Sequence, residues 1–126
     1  MWICTQDGFL SLSRVPERLD RSQIRARSKR HLINLKATVR GAYGLVDRVV
    51  SDEIEESEII QHPHGDYKYR IIVSPEVIPQ ILNLYGHLVT YPSFRSSVPE
   101  SQQSCDDYKL REFLSTVWSL SYSMED

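Results

Sequence analysis

The stretch Trp2-Ile3-Cys4-Thr5-Gln6-Asp7-Gly8-Phe9-Leu10-Ser11-Leu12-Ser13-Arg14-Val15 decides the fold. Two runs rich in aromatic and aliphatic residues, Trp2 to Thr5 and Phe9 to Val15, flank Gln6-Asp7-Gly8. Asp-Gly between such runs is a strong hairpin signal. Both central residues of a type I′ turn need φ > 0, which these two tolerate best. In the second run Leu10 and Leu12 alternate with Phe9, Ser11 and Ser13. The two leucines therefore share one face, as a half-buried strand requires.

Working outward, Val15-Pro16 ends that strand, and Glu17 to Ser22 reads as a polar loop. Ile24-Arg25-Ala26-Arg27 alternates apolar with cationic residues and predicts a third short strand with Ile24 and Ala26 inward. Ser28 is a credible N-cap for a helix over Lys29 to Val39, where Leu32, Leu35 and Val39 form one stripe. Gly41 and Gly44 break it. The acidic run from Asp52 to Glu58 reads as a solvated loop or a short helix, followed by strand residues Ile59-Ile60. Tyr67 to Val73 alternates Tyr67, Tyr69, Ile71 and Val73 against Lys68, Arg70 and Ile72, and predicts a further strand.

Ser74-Pro75-Glu76 opens a helix with Ile78, Ile81, Leu82 and Tyr85 as its stripe. Pro79 forces it to start late or to bend. Thr90 to Ser104 reads as loop. A last helix, capped by Asp106 or Asp107, carries a broad apolar band of Tyr108, Leu110, Phe113, Leu114, Val117, Trp118 and Leu120. The expected architecture is α+β over a single domain, residues 1–126, with an antiparallel sheet, helices packed on one face and a split β-α-β layout. No repeat and no linker composition interrupts it.

Bulk properties exclude several classes. The 126 residues carry a net charge of −2, with 40% hydrophobic and 25% charged residues, close to globular averages and without a global pull toward nucleic acid or membranes. Cys4 and Cys105 form no ligand spacing, which suits a reducing compartment, with Cys4 expected buried in its strand. Without a signal-peptide pattern or a run of about 20 apolar residues, the chain is expected to be cytoplasmic, with no membrane role.

As a set, several segments resemble a family of small uncharacterised proteins from bacteria and phages. They are Met1-Trp2-Ile3 with Gly8-Phe9-Leu10-Ser11, Ile24-Arg25-Ala26-Arg27, Asp66-Tyr67-Lys68-Tyr69-Arg70-Ile71, Tyr91-Pro92-Ser93-Phe94-Arg95, and Tyr108 with Val117-Trp118. The family pattern runs MWxxTxxGFxSxV, VRAR, DYxYRI, YxNFK and YxxVW, and the resemblance covers most of the chain. It implies a ferredoxin-like α+β fold and an oligomer, and supplies no activity. Ser93 replaces the usual Asn and Arg95 the usual Lys, so a role needing an amide there does not carry over. Trp2 and Phe9 are expected as core or interface aromatics.

Three groups of residues carry functional signals. From Arg14 to Arg48 stand ten cationic residues against three acidic ones, and Val49 to Asp66 follows with six acids and no Lys or Arg. Arg25 and Arg27 share a strand face, joined by Lys68 and Arg70 if the two strands are neighbours. Such a face suits phosphates; the alternative is pairing with the acidic segment. His62, His64 and Asp66 offer two imidazoles and a carboxylate to a divalent metal from a turn, although Pro63 and Gly65 are ordinary turn formers. Tyr67, Tyr69, Tyr91, Phe94 and Arg95 are candidates for an aromatic pocket that stacks a planar ligand, or for simple packing.

No GxSxG, HExxH, P-loop or GxGxxG motif is present. No catalytic residue and no cofactor is therefore expected. The leading expectation is a non-enzymatic binding or regulatory module that dimerises or meets a protein partner through its sheet or last helix. The alternatives are a nucleic-acid- or anion-binding accessory protein and an enzyme of unknown reaction.

Overall fold

The alternation of Leu10 and Leu12 sets the register on which the sheet is built. In the computed structural model, which describes residues 1–42, 44–94, 97–98 and 107–125, β1 (Trp2–Thr5) pairs antiparallel with β2 (Gly8–Val15). The hairpin has a different loop from the expected one. Thr5 and Gly8 are the last pair of the ladder, so the loop is Gln6-Asp7. Among the described residues no non-glycine has positive φ, which excludes a type I′ turn. Instead the Thr5 hydroxyl accepts from the Asp7 amide at 3.1 Å and donates to the Gly8 carbonyl at 3.3 Å, a side-chain turn motif. Gly8 is required by close approach: its φ is +152°, and a Cβ there would lie 2.2 Å from Cγ of His31.

β3 (Arg18–Ala26) is longer than the sequence pattern implies. Its polar first half, expected as loop, joins the ladder because backbone pairing needs no apolar side chain at an exposed end. The register shifts between Arg14 and Val15. β3 pairs antiparallel with β5 (Tyr69–Val73), and β5 pairs antiparallel with the short β4 (Ile60–Gln61). The strand order is β1-β2-β3-β5-β4. β3 and β4 thus run parallel with β5 between them, the split β-α-β layout of a ferredoxin-like sheet.

The crossover between β3 and β4 is made by α1 (Lys29–Arg40) and α2 (Arg48–Glu56), and α3 (Val77–His87) follows β5. Ser28 stands at the N-cap of α1 in extended conformation, without a side-chain capping bond. The acidic run is helical because Val50 and Ile54, four residues apart, bury one face while most of its acids stay outside. α3 does start late. Val77 is its first residue, which puts Pro79 in the first turn, where a missing N–H costs no helical bond. Leu10, Leu12, Ile24, Ala26, Ile71 and Val73 from the sheet meet Leu32, Leu35, Val39, Val50, Ile54, Val77, Ile81 and Leu84 from the helices in one core. Helices therefore cover one face of the sheet. Each large side chain so buried contributes about 1.5–3 kcal/mol.

By its internal contacts the chain divides into two units, Met1–Thr90 and Tyr91–Asp126. The sheet and α1 to α3 belong to the first. In the second, α4 (Asp107–Ser121) runs into a short 3-10 turn at Tyr122–Met124. Leu110 and Leu114 bury against Val98, with Phe94 at their edge. Cys4, expected buried, is exposed, because its register with Phe9 puts it on the face opposite the helices. Cys105 lies outside the described residues. Trp2 is 71% exposed and stands edge-on to Phe9, with ring centroids 6.0 Å apart.

Candidate functional site

The strand alternation that sends Leu12, Ile24 and Ile71 toward the helices sends Ser11, Ser13, Gln23, Arg25 and Arg70 to the other face. On that face Arg25 and Arg70 are direct cross-strand partners. Opposed like charges in a sheet are unfavourable by roughly 0.2–1 kcal/mol, so the arrangement needs compensation. Part of it is polar. One η nitrogen of Arg25 donates to the Ser11 hydroxyl at 2.9 Å, and one of Arg70 donates to Oε1 of Gln23 at 3.1 Å. Gln23, only 2% exposed, passes the chain on to the Ser13 hydroxyl at 3.2 Å and the Arg14 carbonyl at 3.3 Å. Part is aromatic. The buried Tyr67 ring receives Arg25 at 4.6 Å and Arg27 at 5.0 Å, a doubly occupied cation–π platform.

The compensation is incomplete. The Nε atoms of both Arg25 and Arg70 are buried with no hydrogen-bond partner. Such a donor costs about 1–3 kcal/mol when left unsatisfied. Among the described residues no carboxylate lies within ion-pair distance of Arg25, Arg27 or Arg70.

The rest of the basic segment behaves differently. Arg40 makes a bidentate pair with Glu55, at 2.8 and 3.0 Å from one η nitrogen, and Arg21 lies 3.6 Å from Glu53. Arg48 meets Asp52 at 4.0 Å, and the Lys36 ammonium donates to the Glu55 carbonyl at 3.2 Å and to the Ser57 carbonyl. The bond from Arg40 holds the Glu55 carboxyl below its usual range, while burial pulls the Lys36 ammonium down. Glu53 also accepts from the Ser74 amide and hydroxyl, both at 2.6 Å. The two expectations for the basic run are thus divided between different arginines: Arg21, Arg40 and Arg48 face acids, and Arg25, Arg27 and Arg70 do not.

The other sequence candidates scatter. Lys68 does not join the arginines; it is exposed, with its ammonium 5.8 Å from the Tyr69 ring. Tyr67 and Tyr69 are on opposite sides, because Tyr67 precedes β5 and turns under the guanidinium groups while Tyr69 packs on the helical core. Tyr91 and Phe94 meet in the second unit with ring centroids 5.8 Å apart and planes tilted by 42°; Arg95 lies outside the described residues. His62, His64 and Asp66 are all exposed in the turn before β5. Among the described residues no group of three His, Cys, Asp or Glu is placed to hold a metal ion. No helix among them is long and apolar enough to cross a membrane.

One polar cluster had no signal in the sequence. Asp7 Oδ2 accepts from the Thr38 hydroxyl and from the Tyr85 hydroxyl, both at 2.6 Å, and the Asp7 carbonyl accepts from the Asn34 amide at 3.2 Å. Nδ1 of His31 accepts from the Phe9 amide at 3.3 Å. Burial, then the Asp7 charge, pushes the Tyr85 phenol far above its usual range. The cluster pins the hairpin loop to α1 and α3, with every donor and acceptor named here engaged. It is a structural clamp. No family model, curated protein or solved structure matches this chain.

Proposed function

We propose that the chain is a non-enzymatic binding module whose open sheet face takes a phosphate-bearing ligand. The observation that carries this reading is the Arg25–Arg70 pair: two cationic side chains in register, half-buried, each with an unsatisfied Nε donor and no neighbouring carboxylate among the described residues. An anion's oxygens supply the acceptors that these guanidinium groups lack, through charge-assisted and often bidentate bonds. Arg27, exposed beside them over Tyr67, adds a third cation within reach of a neighbouring phosphate. Ser11, Ser13 and Gln23 hold the arginines in place and bring no negative charge.

A nucleic acid backbone is the extended form of that ligand, and it makes the test quantitative. Filter binding of mixed DNA and RNA oligonucleotides is measured at about 50 and about 200 mM salt, beside a thermal-shift titration with inorganic phosphate. Three phosphate contacts predict a loss of affinity of roughly 40-fold between those salt concentrations, and two contacts roughly 10-fold. Arg25→Gln or Arg70→Gln lowers the salt slope by about one contact. Retention that ignores salt, or variants that bind as the parent does, overturn the reading; a response to inorganic phosphate alone restricts it to small phosphorylated ligands. A cytoplasmic location accords with it, since the exposed Cys4 thiol suits a reducing compartment.

A further inference from the structure

We infer, resting on the phosphate reading of the open sheet face, that its ligand is single-stranded nucleic acid, with one base stacked on Trp2 and the backbone running over Arg25 and Arg70. The strand registers place these groups in one row. Trp2 pairs with Ser11, Ser11 with Arg25, and Arg25 with Arg70, and directly paired residues of neighbouring strands lie on the same face. At about 4.8 Å per strand, the position of Trp2 is about 10 Å from that of Arg25 and about 14 Å from that of Arg70. The residue between Trp2 and Arg25 is Ser11, whose hydroxyl already accepts from Arg25 at 2.9 Å. An aromatic, a small hydroxyl and two cations thus follow one another across the sheet.

The aromatic groups of this face differ in what they offer. Tyr67 is buried and its ring is taken by Arg25 and Arg27. Trp2 is 71% exposed, and Phe9 meets it edge-on with ring centroids 6.0 Å apart. That contact orients the indole and leaves most of its surface open to a ligand. Any base can cover it, because every base has a π-face, and aromatic platforms beside a cationic track are how single strands are held. A duplex does not fit the row. Its base faces are stacked on one another and only base edges reach the grooves. The five-stranded sheet also spans about 19 Å across its strands, wider than the major groove at about 12 Å.

Fluorescence anisotropy of three labelled probes with the full chain, at about 50 and about 200 mM salt, tests this. The probes are oligothymidylate of about ten nucleotides, an abasic phosphodiester of the same length, and the duplex of the first with oligoadenylate. The single strand is expected to bind more tightly than the abasic strand by roughly 5- to 150-fold for one stacked base. Trp2→Ala removes that advantage by the same factor at both salt concentrations, since the indole neutralises no phosphate, and leaves abasic binding unchanged. Trp2→Phe, which keeps a ring, retains part of it. Position 2 is exposed, and far-UV circular dichroism checks that each variant keeps its fold. Equal binding of the single and abasic strands, or a duplex bound as tightly as the single strand, overturns the inference and leaves phosphate binding at Arg25 and Arg70 intact. So does a Trp2→Ala variant that binds the single strand as the parent does, or one that loses the abasic strand equally. Failure of all three probes to bind overturns it as well, and the thermal shift with inorganic phosphate then decides whether the phosphate reading falls with it.

Discussion

Replacing Asp7 by alanine removes the acceptor on which two helices are tied to the hairpin loop. Its Oδ2 takes the Thr38 hydroxyl of α1 and the Tyr85 hydroxyl of α3, each at 2.6 Å. A hydrogen bond to a charged group is worth about 1.5–3 kcal/mol, which makes the pair worth about 3–6 kcal/mol if both hydroxyls were left stranded. All three residues are only partly buried, so water re-satisfies part of the loss, and the expected destabilisation is about 2–4 kcal/mol. For a unit the size of Met1–Thr90 that lowers Tm by roughly 10–25 °C. Asp7→Asn keeps one oxygen acceptor without the charge and loses about half as much. The assay is urea denaturation followed by circular dichroism, run on Asp7→Ala, Tyr85→Phe and the double variant. Because the two groups share one bond, the cycle shows a coupling of about 1–3 kcal/mol. A loss below about 0.5 kcal/mol for Asp7→Ala, or strict additivity with Tyr85→Phe, refutes the clamp.

Two further predictions rest on the same region. Gly8→Ala combines the strained φ of +152° with a Cβ placed 2.2 Å from the His31 ring, so the ring must move and its bond from the Phe9 amide is lost; the expected cost is about 2–4 kcal/mol, read as a fall in the urea midpoint at constant m. Tyr85 makes stability depend on alkaline pH. The folded phenol keeps its proton well above the usual range, whereas the unfolded one ionises near pH 10. Below about pH 10 the contribution is fully present; above it the unfolded state alone loses a proton, and stability falls by about 1.4 kcal/mol per pH unit more steeply in the parent than in Tyr85→Phe. Equal slopes in the two proteins contradict the burial of that hydroxyl.

Local chemistry was legible in the chain because it has a local cause. Period-two alternation at Leu10 and Leu12 and at Ile71 and Val73, and the three-four spacing of Leu32, Leu35 and Val39, each report which side of an element meets the core. The α+β class, the opening hairpin, the start of α1 after Ser28 and the late start of α3 around Pro79 follow from such signals. The extension of β3 back to Arg18 did not follow, since Arg18 to Ser22 carries no apolar alternation and is recruited by backbone pairing with β2. The loop residues of the first hairpin were misplaced by one because the need for glycine at position 8 comes from His31, which sits 23 residues away on α1.

The sequence by itself determined that arginines alternate with core residues at Ile24-Arg25-Ala26-Arg27 and again at Arg70-Ile71, and that an acidic segment follows a basic one. Only the tertiary structure decided that Arg25 lies opposite Arg70, that Tyr67 turns under the guanidinium groups, and that Glu53 and Glu55 neutralise Arg21 and Arg40 instead. The physical reason is one of range. Alternation is enforced by the geometry of consecutive residues, whereas register and charge pairing between distant strands and helices are chosen by whichever packing of the whole core buries Ile24, Ile71 and Ile54 together. Two segments with matching patterns therefore announce that they are strands, but not which of their charges will end as neighbours.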